Sequence, residues 1–84
     1  MVPVPPPRNL PAFPDARKVR PKTGIAGGGF RRRWKDSSNG TIYEWDYQHG
    51  SVEAYDSRGR HLGQFDPHSG DQQKGPDLSR RIEP

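Results

Sequence analysis

The chain has no cysteine among its 84 residues. That excludes a disulfide framework and any thiolate metal site, the two usual supports of a domain this small. Apolar residues are scarce at 27%, and the mean hydropathy is -1.18. Such a composition allows only a thin core. No apolar run approaches the length needed to cross a bilayer as a helix, and no secretion signal with a long apolar stretch is present. Met1 ahead of Val2-Pro3-Val4-Pro5-Pro6-Pro7 reads as an initiator set on a piece of a longer chain. Acidic residues are nearly missing from the front of the chain. Residues 1–36 carry nine Lys/Arg and two Asp, a net +7, whereas residues 37–84 carry five Lys/Arg and eight Asp/Glu, a net -3.

A basic front half suits a polyanionic partner. The acidic back half does not suit a plain nucleic-acid binder, because carboxylates facing phosphate cost affinity. Carboxylates beside a basic patch are better explained by chemistry on the polyanion.

Residues 1–29 hold seven of the ten prolines and four of the ten glycines. They read as a Pro/Gly-rich, mostly irregular N-terminal segment or linker, with polyproline II over Val2–Pro7 and a flexible joint at Gly27-Gly28-Gly29. Pro14 to Val19 is expected to form one turn of helix. Gly24 to Gly29 lacks the Gly-Lys-Ser/Thr and following helix of a phosphate loop.

Residues 30–84 read as a β domain. Strands are expected at Phe30–Lys35, Thr41–Asp46, Ser51–Asp56 and His61–Phe65, with a last short strand within 72–82. Turn chemistry separates them: Asp36-Ser37-Ser38-Asn39-Gly40, Gln48-His49-Gly50, Ser57-Arg58-Gly59-Arg60 and Asp66-Pro67-His68-Ser69-Gly70-Asp71. The fold class is mainly β: a small, twisted antiparallel meander. The expected core is Trp34, Tyr43, Trp45, Val52, Leu62 and Phe65.

Turn lengths suggest a register in which Trp34 faces Tyr43, Arg33 faces Glu44, Glu44 faces Glu53, Asp46 faces Ser51, Asp56 faces His61 and Val52 faces Phe65. One face then gathers Trp34, Tyr43, Trp45, Val52, Ala54 and Phe65. The other gathers Arg31, Arg33, Glu44, Asp46, Glu53 and Tyr55, with His49 in the turn at its edge. A one-residue slip would mix the two sets.

The polar face can do acid–base chemistry. Clustered carboxylates and an imidazole that titrates near neutrality supply a base and an acid. Set on either side of a phosphodiester, they would cleave RNA: the 2′-OH loses its proton and attacks phosphorus, and the acid protonates the leaving 5′-oxygen. Plainer readings exist for each group. A surface histidine is usually only that, and Glu44, Asp46 and Glu53 read equally well as cross-strand partners of Arg31 and Arg33. The spacing of His49, His61 and His68 matches no metal-ligand pattern. A non-catalytic RNA- or ribosome-binding β module is the alternative reading, and a peptide-docking module through Pro-Pro-Pro-Arg is a third.

The run Ile42-Tyr43-Glu44-Trp45-Asp46-x-Gln48-His49-Gly50-x-x-Glu53-x-Tyr55 strongly resembles the cytotoxic domain of colicin- and cloacin-type ribosomal ribonucleases. Gly27-Gly28-Gly29, Arg31-x-Arg33-Trp34, His61-Leu62-Gly63-x-Phe65-Asp66-Pro67 and Lys74-Gly75-Pro76-Asp77 extend the resemblance across residues 24–82. The family is a bacteriocin group, and related ends occur on contact-delivered toxins. The resemblance implies a highly twisted antiparallel sheet that acts in the cytoplasm of a target bacterium. It implies one cut in small-subunit (16S) ribosomal RNA at the decoding centre, with no metal or other cofactor. It also implies an acidic immunity protein as partner. Residue by residue, the implied catalytic set is Asp46, His49, Glu53 and Arg80, with Tyr55 and Lys74 supporting and Arg31 and Arg33 on the substrate side. Glu53 would be the base and His49 the acid, oriented by Asp46; the swapped assignment stays open at this stage. So does Arg81 in place of Arg80.

Overall fold

An aspartate opens each of four hairpin turns and a glycine closes it: Asp36 to Gly40, Asp46 to Gly50, Asp56 to Gly59 and Asp66 to Gly70. In every case the glycine N–H returns to the aspartate carbonyl, at 2.7–3.0 Å. The aspartate carboxylate takes the N–H two residues on, as at Ser38, Gln48, Arg58 and His68. Asp side chains mimic a backbone turn in this way, and the closing glycines have φ between 65° and 84°, where a side chain would be strained.

The computed structural model describes residues 2–84, so the initiator reading of Met1 lies outside the described residues. These contain no helix. Six strands, β1 (Ala16–Val19), β2 (Arg33–Asp36), β3 (Ile42–Asp46), β4 (Ser51–Tyr55), β5 (His61–Phe65) and β6 (Gln72–Lys74), form one antiparallel sheet in sequence order. The meander expected from the sequence is the observed fold.

Register follows expectation from β2 to β4: Trp34 pairs with Tyr43, Arg33 with Glu44, Glu44 with Glu53 and Asp46 with Ser51. Tyr55, not Asp56, is the partner of His61, and a bulge between Ala54 and Tyr55 then restores the expected pairing of Val52 with Phe65. The physical reason is the third turn, which is one residue shorter than the other three.

The N-terminal segment differs from the expected linker. Pro14-Asp15 turns the chain, and Ala16–Val19 pairs with β2 as an edge strand instead of forming a turn of helix. Leu10, 1% exposed, and Ala16 join Trp34, Tyr43, Trp45, Val52 and Ala54 in the core. Phe13 stacks on Tyr43 at 4.6 Å between ring centroids. A Pro-rich chain has no internal hydrogen bonds, so its carbonyls are free to accept from outside. Two of them do: Trp45 Nε1 donates to the Val4 carbonyl at 2.7 Å, and Trp34 Nε1 to that of Arg8 at 3.1 Å. The segment covers one face of the sheet and completes a core too thin to close alone.

Two further expectations are corrected. Leu62 is 38% exposed, because it is the extra residue of the β4–β5 bulge, unpaired between His61 opposite Tyr55 and Gly63 opposite Ala54, and Phe30 is 58% exposed. Phe30 precedes β2 and only bridges Gly24 across the glycine loop.

Candidate active site

The face opposite the core carries the polar residues. Arg33, Glu44, Glu53, His61 and Gln64 are all 6% exposed or less. A sheet face this polar is buried only if its groups satisfy one another.

They do so in two networks. In the first, Glu44 Oε2 accepts from Arg33 Nη2 at 2.8 Å, Arg33 Nε at 3.2 Å and Thr23 Oγ1 at 2.6 Å. Arg33, expected on the substrate side, is buried and directs Nε and Nη2 to this ion pair. For Glu44 the plainer reading, a cross-strand partner, describes the geometry. Its Oε1 is a buried oxygen with no hydrogen-bond partner among the described residues.

In the second network, Glu53 Oε1 accepts from His61 Nε2 at 2.7 Å and from Arg80 Nη1 at 3.1 Å. The Asp77 backbone N–H donates to His61 Nδ1 at 2.9 Å. A backbone amide can only donate, so Nδ1 is the acceptor and Nε2 carries the proton. His61 thereby links Glu53 to the C-terminal tail that carries Arg80. Arg80 Nη2 donates to the Tyr55 hydroxyl at 2.9 Å. Burial pushes the Tyr55 phenol up; Arg80 opposes this, while Glu44 and Glu53 add to it. Tyr55 therefore keeps its proton at neutral pH. Glu53 Oε2 makes no hydrogen bond within the described residues and is not sealed from solvent. One carboxylate oxygen is thus anchored and the other is available.

The Asp46–Gly50 turn stands apart from both networks. Asp46 Oδ1 accepts from the N–H groups of Gln48 and His49, and Oδ2 lies 2.7 Å from His49 Nδ1. Burial pushes the Asp46 carboxyl up, but the bonds from the His49 ring and these two N–H groups outweigh it, and the net shift is downward. Asp46 is therefore ionised, holds the proton on His49 Nδ1, and leaves Nε2 facing outward from a half-exposed ring. The same aspartate shapes the turn and orients the imidazole.

The sheet sets the distance between the two centres. Asp46 pairs with Ser51 and Glu44 with Glu53, so Asp46 and Glu53 are diagonal neighbours on one face. Such positions lie about 7–8 Å apart, room for a phosphodiester between the side chains.

The remaining expected residues fall around this frame. Arg31 Nη1 donates to the Trp45 carbonyl at 3.0 Å. Lys74 is exposed on β6, opposite Gln64. Arg81 forms a backbone bridge with Arg60 and does not reach Glu53; Arg80 does. Sequence reasoning missed three contributors. His61 read as an ordinary strand residue. Thr23 lay in the expected linker. Gln64 faces Glu53 across β4–β5 and donates its amide to Ser51 Oγ and Gln73 Oε1. The sequence carried one usable signal: alternation along β5 puts Gln64 on the face of Glu53. Among the described residues no three His, Asp or Glu side chains converge as a metal site.

A model of the family described as Cytotoxic matches residues 4–83. Colicin E3 of Escherichia coli is 48% identical over 82 residues, 95% of this chain and 15% of colicin E3. Cloacin and colicin-E6, both of Escherichia coli, are 45% and 44% identical over the same shares. The chain spans about 15% of the length of these curated relatives.

Proposed function

This chain belongs to the Cytotoxic family, and from that premise we propose that it is the endoribonuclease domain of a bacterial toxin, cutting 16S ribosomal RNA in the decoding centre and so stopping translation. The observation that carries the reading is the pair of centres on one sheet face: an Asp46-oriented imidazole, and a Glu53 carboxylate with one oxygen anchored and one free.

The chemistry follows from the geometry. Glu53 Oε2 takes the proton of the ribose 2′-OH, and the freed oxygen attacks the adjacent phosphorus. Arg80, exposed on one side while held by Glu53 and Tyr55, offers its guanidinium to the developing phosphoryl charge; Lys74 adds a second cation from β6. His49 Nε2 gives a proton to the leaving 5′-oxygen as the P–O bond breaks. The products are a 2′,3′-cyclic phosphate and a 5′-hydroxyl. Each proton moves between protein and RNA, and no step calls for a metal. Anchoring of Glu53 by His61 and Arg80 favours Glu53 as base and His49 as acid. Arg33 has a structural role.

In this reading the domain is carried by a longer delivered toxin, acts in the target cell's cytoplasm, and is neutralised in the producing cell by an acidic immunity protein that complements its net charge of +4.

The test uses intact bacterial ribosomes in EDTA. The parent should release one discrete small-subunit RNA fragment. Glu53→Gln and His49→Ala should each slow this by about 10²–10⁴-fold, the usual contribution of a general base or acid. Intact RNA with the parent would favour the alternative, a non-catalytic ribosome-binding module.

A further inference from the structure

A cavity of about 440 Å³ opens beside the Asp46–His49 pair. Pro3, Ile25, Ala26 and Tyr47 form its apolar wall, and Arg31, Asp46 and Gln48 its polar side. Both halves of the wall are held in place. The N-terminal arm is pinned by the Val4 N–H to the Tyr47 carbonyl at 2.8 Å, and by Trp45 Nε1 to the Val4 carbonyl. The loop that presents Ile25 and Ala26 is closed by Ile25 N–H to Gly29 and Gly28 N–H to Ile25, each at 3.0 Å. Gly27, Gly28 and Gly29 have φ of 93°, 112° and 83°. Three successive left-handed residues are open only to glycine, so this loop is a shaped wall and not merely a joint.

Its chemistry selects the occupant. The apolar side with one aromatic ring suits a flat ring. Among the described residues the Arg31 guanidinium spends one N–H, on the Trp45 carbonyl; its other donors, with the Gln48 amide, can meet a polar ring edge. The Asp46 carboxylate at the rim disfavours a free phosphate. The cavity also shares Asp46 with the dyad, so a strand threaded between His49 and Glu53 passes its mouth. Single-stranded RNA is read through splayed bases stacked on aromatic and guanidinium planes. We propose that this cavity is a subsite for an unstacked nucleobase flanking the scissile phosphodiester. The proposal rests on the ribonuclease reading above and adds to it a source of sequence preference.

The experiment compares short 2′-O-methyl oligoribonucleotides, which resist cleavage, with the same strands lacking one base. Affinity is measured by fluorescence anisotropy for the parent and for Ala26→Trp, which fills the cavity from an exposed loop position. Ribosomal RNA cleavage by the parent and by Glu53→Gln is run alongside. The parent should bind the complete strand about tenfold more tightly than the abasic one, the scale of one base–aromatic stack. Ala26→Trp should lose that difference while binding the abasic strand as the parent does. Equal affinity for both strands, with Glu53-dependent cleavage intact, overturns the subsite and leaves the ribonuclease standing. A base preference that Ala26→Trp leaves untouched also overturns it, by placing base recognition elsewhere. Loss of cleavage by the parent overturns the ribonuclease reading instead.

Discussion

Replacing Arg33 by methionine leaves the Glu44 carboxylate, 1% exposed, without its cation. Its Oε1 already lacks a partner, and Oε2 would keep only the Thr23 hydroxyl. Breaking a buried pair from one side costs about 3–5 kcal/mol, because a charge stays buried uncompensated. An 84-residue chain has about 4–13 kcal/mol of stability in all, at the usual value per residue. Arg33→Met should therefore remove about a quarter of the stability or more. Urea unfolding followed by the fluorescence of buried Trp34 and Trp45 reads this directly. With a slope of about 1–1.5 kcal/mol per molar urea for so small a domain, the midpoint should fall by about 2–5 M. The double variant Arg33→Met, Glu44→Leu removes both charges together. It should recover most of the loss, since apolar replacement of a whole buried pair is often neutral or better. It should also still cut ribosomal RNA, because the work is done at Glu53 and not at its neighbour Glu44. A midpoint shift under about 0.5 M for Arg33→Met, or a folded double variant without activity, would refute the assignment of this pair to structure.

Other perturbations reach the remaining features. Leu10→Ala should cost about 2–5 kcal/mol in the same assay, the range for deleting a buried leucine side chain, whereas a residue in a mere linker would cost nothing. Gly59 has φ +84° and lies against the Ile82 carbonyl, so Gly59→Ala should push the tail away and lower cleavage through Arg80, leaving the β2–β4 hairpins folded by hydrogen exchange. Acid should weaken the fold in one direction. Asp36 is held down by the Ser38 side chain first, Asp66 by the Ser69 N–H first, and Asp46 lies lower despite its burial. A carboxyl lowered in the folded state stabilises above its unfolded value, and that contribution is lost as pH falls through the folded one. Melting temperature should be flat above about pH 5 and drop below the ordinary aspartate value of 3.8; a protein equally stable at pH 2.5 and 6 would contradict this account of the turns.

The hairpins were legible because they are local. Aspartate and glycine at matched spacing set each turn, turn length set register, and period-two alternation then sorted Trp34, Tyr43, Trp45 and Val52 from Arg33, Glu44, Asp46 and Glu53. Where the local signal was one residue short, at Asp56–Gly59, the register was misread by one residue at Tyr55–His61 and nowhere before it.

Distant contacts were not legible. Ala16-Arg17-Lys18-Val19 has no strand pattern of its own; it becomes β1 because β2 offers it an unpaired edge. The Pro-rich arm looks like a linker by composition, yet its free carbonyls are what the two indoles need. His61 carries no mark in sequence beyond being a histidine; its place between Glu53 and Asp77 depends on how the tail folds back. By itself the sequence determined the strands from β2 to β5 and the two faces of the sheet, since these rest on contacts within a few residues. Only the tertiary structure decided that Glu44 pairs with Arg33 and Thr23 while Glu53 pairs with His61 and Arg80, because these four partners arrive from separate parts of the chain.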